Sequence, residues 1–259
     1  MRNPWFARTE PRNEAGVRLF CLPYAGGSST AYRAWSGLTP DRVQVHPLEL
    51  PGRGTRWGET PIGRMPLMTE ALADALSGHL DRPYALFGHS MGALIAFELT
   101  RTLRARGLPL PAHLFVSGSE APDLPRTRRP IHAAPDSEVV EELRFLGGTP
   151  AELLEDPALM KLVLPALRAD FSLLETYRYH VQAPLPVPLT VFGGDRDPLV
   201  VAGQLHRWLR QTNTAGRLEI LPGEHFFLHD AVAKVLATVT EDLAPLESLP
   251  RPPAQRDVA

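Results

Sequence analysis

The chain alternates short apolar runs rich in β-branched residues with longer segments whose apolar residues recur at helical spacing. Such runs predict strands buried on both faces, and their alternation with helices predicts right-handed crossovers between parallel strands. We therefore expect an α/β fold with a mainly parallel sheet and helices on both sides. The predicted strands are Arg18–Tyr24, Val43–Leu50, Tyr84–His89, His113–Gly118, Leu189–Gly194 and Arg217–Leu221, and the predicted helices are Met65–Leu80, Met91–Arg106, Val200–Gln211 and Phe227–Leu243.

One interval interrupts this alternation. From Ser119 to Pro188 the chain is much longer than the dozen or so residues that a crossover helix needs, and its second half carries leucines at helical spacing. We interpret residues 120–186 as an inserted helical lid, and the alternative is a layer of ordinary core helices. The length of 259 residues fits one domain over residues 1–247, and the proline-rich end, 248–259, is expected to be a flexible tail.

Composition excludes several classes of function. A net charge of −2 gives no basic surface for nucleic acid. No stretch approaches the roughly 18 uninterrupted apolar residues of a membrane span, and the N-terminal region lacks the apolar core of a secretory signal, so we expect a cytoplasmic protein. With a single cysteine and no H-E-x-x-H pattern, we expect no metal and no organic cofactor.

The segment Gly88-His89-Ser90-Met91-Gly92 matches G-x-S-x-G and lies between a predicted strand and a predicted helix. In a nucleophile elbow the serine occupies a strained turn in this position, and the glycines avoid collisions with neighbouring backbone. The context favours Ser90 as a nucleophile over the alternative of a small residue in a tight turn. For His89, inside the same turn, the favoured interpretation is a surface or packing residue, and contact with substrate is the alternative.

A serine nucleophile needs a base and a group that orients the base, and this architecture places them after later strands in the order acid, then histidine. VFGGDRDPLV offers Asp195 and Asp197, and EILPGEHFFLHD offers His225 and His229. We choose Asp197, in the turn before Pro198, and leave Asp195 to hold the loop by backbone hydrogen bonds. We choose His225 because it follows the strand directly, whereas His229 falls inside a predicted helix.

Acyl transfer also needs hydrogen-bond donors for the developing oxyanion. The backbone N–H of Met91, after the nucleophile, is one candidate. The glycine-rich loop after the first strand supplies Ala25 as the other. The rival interpretation of that loop as a phosphate cradle is disfavoured because neither G-x-x-x-x-G-K-[ST] nor G-x-G-x-x-G is present.

With these motifs in order, the sequence resembles the type II thioesterases, stand-alone α/β-hydrolases that accompany polyketide and nonribosomal peptide synthases. The resemblance covers about Arg18 to Leu243. It depends on the blocks LFCLPYAGGSSTAYRAW, ELPGRGTR, FGHSMGALIAFELTR, LGGTPAELL, LPALRADFSLLETYRY, VFGGDRDPLV and GEHFFL. It implies an α/β-hydrolase fold and carries the catalytic positions onto Ser90, Asp197 and His225, with the oxyanion donors on Ala25 and Met91.

The resemblance further implies hydrolysis of acyl groups from the phosphopantetheine thiol of an acyl or peptidyl carrier protein, with editing of misprimed or stalled chains. We expect a monomer whose partner is that carrier. Tyr24, Phe226 and Met91 are candidate acyl-pocket residues, or plain packing. Arg53 and Arg56 are candidates for a phosphate or an acidic carrier surface, or a solvated charged turn. A small-molecule esterase or lipase, a product-releasing thioesterase and a non-catalytic binding protein remain alternatives.

Overall fold

The computed structural model describes residues 3–6 and 16–248. Its six strands form a single sheet in the order β2-β1-β3-β4-β5-β6, and every neighbouring pair is parallel. This confirms the predicted parallel α/β architecture. The proposed tail lies outside the described residues from position 249 onward. The strands are β1 Val17–Leu22, β2 Val43–Pro47, β3 Tyr84–His89, β4 His113–Ser117, β5 Leu189–Gly194 and β6 Gly216–Leu221.

Helices connect the strands, and 3-10 helices occupy several of the connections. Among the described residues, no helix is both long and apolar enough to cross a bilayer. The α-helices are α1 Met65–Ser77, α2 Met91–Ala105, α3 Asp136–Leu146, α4 Ala151–Glu155, α5 Pro157–Glu175, α6 Phe227–Asp230 and α7 Val232–Leu243. The 3-10 helices are Ser29–Gly37, Gly54–Arg56, Ala202–Gln211 and Ala244–Ser248.

Three elements differ from the sequence prediction. The segment predicted as a helix from Val200 is a 3-10 helix, Ala202–Gln211. The helix predicted over Phe227–Leu243 is broken at Ala231 into α6 and α7. Strand β6 was expected to be buried on both faces, but it is the last strand of the sheet and only Leu221 in it is buried.

Alternate residues of the central strands build two cores, one on each face of the sheet. In β1, Phe20 and Leu22 join the cluster that contains α1 and α2. Leu19 and Cys21 point to the other side and join the cluster that contains α7. This alternation follows from the two-residue repeat of a strand and leaves the carboxyl ends of all six strands at one edge of the sheet.

The insertion between β4 and β5 contains α3, α4 and α5. We call residues 120–186 of this insertion the lid segment. It builds a third apolar cluster, with Val139, Leu143 and Leu164 among its members. The Asp156 carboxylate caps α5 by accepting from the N–H groups of Ala158 and Leu159. Two of the helically spaced leucines, Leu159 and Leu162, face outward with 45% and 56% exposure.

Candidate active site

Ser90 lies at the junction between β3 and α2, at the carboxyl edge of the sheet. Its backbone has φ 54° and ψ −115°, and among the described residues it is the only one other than glycine with a positive φ. Such a conformation costs about 1–3 kcal/mol and persists only where surrounding contacts enforce it. One of these contacts is the Ser90 N–H, which donates to the Ser117 carbonyl at 2.7 Å. The strand, turn and helix therefore hold the hydroxyl above the sheet, as an elbow requires.

The two glycines of the motif permit close approaches that a side chain would block. A Cβ on Gly88 would overlap the carbonyl oxygen of Gly92, the second residue of α2. A Cβ on Gly92 would overlap the carbonyl oxygen of Leu22, at the end of β1. The first turn of α2 therefore lies directly against the loop that follows β1.

His225 reaches Ser90 from the loop after β6. Its Nε2 lies 3.0 Å from the Ser90 hydroxyl oxygen, and its side chain is only 5% exposed. The loop turns at Gly223, which has φ 136°. A side chain on Gly194, at the end of β5, would come within 2.6 Å of the Gly223 carbonyl, so the two loops are in direct contact.

Asp197 completes the chain of contacts, as chosen from the sequence. One carboxylate oxygen lies 2.8 Å from His225 Nδ1 and the other accepts the Leu199 N–H at 2.8 Å; the side chain is fully buried. Asp195 instead accepts the Gly223 N–H at 2.8 Å and so supports the histidine loop. With Nδ1 donating to Asp197, Nε2 of His225 is free to accept the proton of the Ser90 hydroxyl.

The two predicted oxyanion donors lie on segments that adjoin Ser90. Met91 is the first residue of α2, where backbone N–H groups have no intrahelical acceptor. Ala25 lies in a tight turn closed by a hydrogen bond from Gly27 N–H to the Tyr24 carbonyl, with Gly26 at φ 74°. Among the described residues, no hydrogen bond occupies the Ala25 N–H. Both groups are available as donors, and their role stays a prediction.

His89 is a packing residue, in agreement with the interpretation favoured from the sequence over contact with substrate. It is fully buried, and its Nδ1 lies 2.9 Å from the Ser117 hydroxyl. Burial, together with the nearby imidazoles of His225 and His229, lowers the pKa of His89 well below its ordinary value, so the ring is neutral. Its ring centroid lies 5.2 Å from that of His225, which makes it a packing support for the base.

Aromatic rings flank the Ser90–His225 pair. Phe226 packs edge-on against His225 and against Tyr24, with centroids 5.1 and 4.9 Å apart, and both aromatic side chains are partly exposed. A Cβ on Gly148 would overlap the Phe226 ring, so the loop between α3 and α4 covers this side of the site. Tyr24 and Phe226 thus have the position expected of pocket residues, whereas Met91 is fully buried in the core.

Arg53 and Arg56 are neither solvated nor available to a phosphate, which corrects both alternatives considered from the sequence. Their side chains are only 7% exposed. Arg53 forms a bidentate ion pair with Asp170 of α5, each bond 2.7 Å long. Arg56 donates to the Glu59 carboxylate and to the Glu49 carbonyl, and its guanidinium stacks over Trp5.

Asp170 is the residue near the site that sequence reasoning missed. Its carboxylate is fully buried and also accepts the Gly26 N–H at 2.8 Å, next to Ala25. A signal was present, because Asp170 lies between Leu167 and Phe171 on the apolar face of a helix, where an unpaired carboxylate is costly.

Within the described ranges, no group of three or more His, Cys, Asp or Glu side chains is arranged to hold a metal ion. A hydroxyl, an imidazole and a carboxylate in a row are the components of nucleophilic acyl transfer.

Comparison with known proteins identifies the family. The thioesterase domain family matches residues 17–243. The gramicidin S biosynthesis protein GrsT of Aneurinibacillus migulanus is 39% identical over 93% of this chain and 94% of its own length. RedJ, a thioesterase from the prodiginine pathway of Streptomyces coelicolor, superimposes with a TM-score of 0.85 at 42% identity, covering 92% of this chain and 94% of RedJ.

A further solved structure identifies the subgroup within the thioesterase family. BorB, described as the type II thioesterase from the borrelidin biosynthetic cluster, superimposes with a TM-score of 0.84 at 36% identity, covering 92% of this chain and 97% of BorB. The resemblance noted in the sequence is thereby confirmed. The chain belongs to the thioesterase family and is a thioester hydrolase of the type II group.

Proposed function

We propose that the protein removes acyl groups from the phosphopantetheine thiol of acyl or peptidyl carrier proteins and so clears misprimed or stalled chains during polyketide or nonribosomal peptide synthesis. The observation that carries the chemical part is the unbroken chain from Ser90 through His225 to Asp197, with contacts of 3.0 and 2.8 Å. The biosynthetic setting is supported by relatives named for gramicidin S, prodiginine and borrelidin formation.

In the proposed mechanism the Ser90 oxygen attacks the thioester carbonyl while His225 Nε2 takes the hydroxyl proton. The N–H groups of Ala25 and Met91 donate to the oxyanion of the tetrahedral intermediate. As the intermediate collapses, the carbon–sulfur bond breaks and the thiol leaves with the proton from His225. A thiol with a pKa of about 8.5 leaves more readily than an alcohol, so this step favours thioesters.

Water then takes the place of the thiol. His225 removes a proton from the water molecule, the hydroxide attacks the acyl group on Ser90, and the free acid leaves as the serine recovers its proton. The buried Asp197 carboxylate keeps the imidazole oriented and stabilises its protonated form in both halves of the reaction. The lid segment and Phe226 shield the acyl-enzyme from bulk solvent.

The test is to compare three substrates that carry the same acyl chain: an acyl-carrier protein, an acyl-CoA and a p-nitrophenyl ester. We expect the highest kcat/KM with the acyl-carrier protein and no turnover of any substrate by Ser90→Ala. Efficient ester hydrolysis with no thioesterase activity would favour the small-molecule esterase instead. A second comparison, of short misprimed acyl groups with a full-length product on the same carrier protein, tests the editing role: faster release of the full-length product would favour product release over editing.

A further inference from the structure

The lid segment makes a polar contact with the loop that carries Ala25. Asp170, in the middle of α5, accepts the Gly26 N–H at 2.8 Å. The same carboxylate accepts from both terminal nitrogens of Arg53 at 2.7 Å, and its exposure is 0%. A side chain of the lid segment is therefore bonded directly to the residue that follows the Ala25 oxyanion donor.

Arg53 fixes the same turn two peptides further along the chain. Its Nη1 donates to the Gly27 carbonyl at 3.2 Å while it holds Asp170. Burial opposes the charge of the guanidinium, but the attraction and hydrogen bonds of Asp170, with a contribution from Glu49, outweigh burial and raise the pKa of Arg53. Arg53 is thus charged, and together with Asp170 it holds two consecutive glycines of the turn, Gly26 and Gly27.

Packing adds a second restraint from α5. Leu167, one helical turn before Asp170, lies so close to Gly26 that a Cβ there would come within 2.7 Å of its Cδ2 atom. Ala25 itself packs against both the main core and the apolar cluster of the lid segment. At the base of the loop, Gly92 lies directly against the backbone of Leu22 and Pro23. The loop that carries Ala25 is therefore in contact with both α5 and the first turn of α2.

An ion pair without access to water is a poor source of stability, since the desolvation of both charges offsets most of their attraction. A role beyond stability explains its place better. We propose that Asp170, through Gly26 and Arg53, is a positioning residue for the oxyanion hole, so that the Ala25 N–H is aimed at the oxyanion only when α5 of the lid segment is seated. This inference rests on the proposed serine mechanism.

The primary test is Asp170→Asn, with Glu175→Gln as the matched control. Both carboxylate oxygens of Asp170 accept from Arg53, so the amide NH2 group of an asparagine would be repelled by one guanidinium nitrogen and the side chain cannot keep the position that holds the Gly26 N–H. Glu175 lies on the same helix and also accepts two backbone N–H groups, those of Ile131 and His132, but within the lid segment. Removal of an oxyanion donor lowers kcat by about 10²–10³-fold, and a misplaced donor retains part of its effect. We expect Asp170→Asn to lower kcat by about 10- to 100-fold with KM changed less than about threefold, and Glu175→Gln to stay within about twofold of wild type.

Inhibitor binding separates positioning from general damage. An alkyl trifluoromethyl ketone forms a tetrahedral adduct with an oxyanion on the nucleophilic serine, whereas an alkyl thioether of the same length cannot. We expect Asp170→Asn to weaken binding of the ketone by the same factor by which it lowers kcat. Binding of the thioether should be unchanged. Equal weakening of both inhibitors, or equal loss of kcat in Asp170→Asn and Glu175→Gln, would overturn the inference.

Asp170→Asn leaves Arg53 buried without its counter-charge, so the variant can fail to fold. The double variant Arg53→Met/Asp170→Leu avoids this, because it replaces both charges with apolar groups and leaves no side-chain oxygen at position 170 to accept the Gly26 N–H. We expect the same selective loss of kcat and of ketone binding. A folded double variant with wild-type kcat would refute the role of Asp170.

Different results would contradict the serine mechanism and the role of Asp170. If wild-type protein does not turn over the thioester, or if Ser90→Ala is as active as wild type, then the serine mechanism itself is wrong. If wild type is active, Ser90→Ala is inactive and the Asp170 variants match their control, then only the inference about α5 is wrong.

Discussion

Ser90 has a backbone conformation that residues other than glycine rarely adopt, and the contacts around it explain why this conformation persists. The N–H of Ser90 is bonded to Ser117, and the glycines on either side permit backbone contacts at van der Waals distance. The neighbouring His89 is neutral and buried against Ser117. The conformation of Ser90 costs about 1–3 kcal/mol, and contacts with β3, β4 and α2 compensate for this cost.

The two aspartates after β5 provide a prediction at this scale. Asp197→Asn should lower kcat/KM by as much as about 10⁴-fold, because an amide favours the wrong imidazole tautomer of His225. Asp195→Asn should cost less than about tenfold, since its amide oxygen can still accept the Gly223 N–H. Steady-state kinetics of both variants on one acyl thioester measure this. A larger loss in Asp195→Asn would mean that the orienting carboxylate has been misassigned.

Sequence reasoning at this scale succeeded where local context decides the role of a residue. Ser90, Asp197 and His225 each follow the end of a strand, and strand ends of a parallel sheet meet at one edge, so their contact followed from the order of the motifs. It failed for Arg53 because the partner, Asp170, is 117 residues away and belongs to the lid segment. The burial of a guanidinium depends on such distant pairing and not on its neighbours in sequence.

At the scale of elements, the unit formed by β3, the turn at Ser90 and α2 carries the site. β3 is buried along its whole length and pairs with β1 on one side and β4 on the other. The close crossing of α2 over the end of β1 depends on Gly92, and the closure of the turn depends on Gly88. The geometry of the nucleophile is therefore a property of three packed elements.

Replacing these glycines should break the unit. Gly88→Ala should destabilise the protein by at least about 3 kcal/mol, or prevent folding, because its Cβ would overlap the Gly92 carbonyl. Gly78→Ala is the control: nothing lies within 4 Å of a Cβ there, and its φ is −77°. The control should change stability by less than about 1 kcal/mol, on the stabilising side. Urea unfolding compares the two, and equal midpoints would contradict the close packing of the elbow.

The position of each strand was predictable within two or three residues because short apolar runs between polar loops are a strong signal. The helices near the carboxyl terminus were less predictable. Residues 202–211 and 227–243 have helical periodicity, but the first forms a 3-10 helix and the second breaks at Ala231. The prediction that β6 is buried on both faces was wrong, because no pattern in the sequence shows that a strand lies at the edge of a sheet.

At the scale of the whole molecule, the candidate site lies where three apolar clusters meet. Two clusters cover the faces of the sheet and the third belongs to the lid segment. Ala25 contacts the first and the third, and Phe226 packs against the second beneath the loop at Gly148. The alternation of strand and helix patterns predicted the layers, but the contact between the lid segment and the oxyanion loop is visible only in the folded structure.

Buried histidines should make the whole molecule sensitive to acid. Burial, aided by Arg18 and His79, lowers the pKa of His46 from 6.5 to about 4, and its Nε2 is a buried atom without a hydrogen-bond partner among the described residues. The native ring stays neutral while the unfolded ring takes up a proton below pH 6.5. His46 therefore costs no stability above pH 6.5 and progressively lowers it as the pH falls toward 4.

The expected contribution of His46 between pH 7 and pH 5 is about 2 kcal/mol of unfolding free energy. Urea unfolding at both pH values should show a smaller acid loss in His46→Leu than in wild type. His206→Gln, at an exposed position, should keep the wild-type dependence. An unchanged acid loss in His46→Leu would show that the imidazole is not held neutral.

The central claim is that Ser90, activated by His225, forms the acyl-enzyme. Its most direct test is treatment with a fluorophosphonate followed by peptide mass spectrometry of wild type, Ser90→Ala and His225→Ala. The account predicts a single adduct on Ser90 in wild type and none in either variant, with both variants folded. Labelling of another residue in wild type, or undiminished labelling after loss of Ser90 or His225, would contradict it.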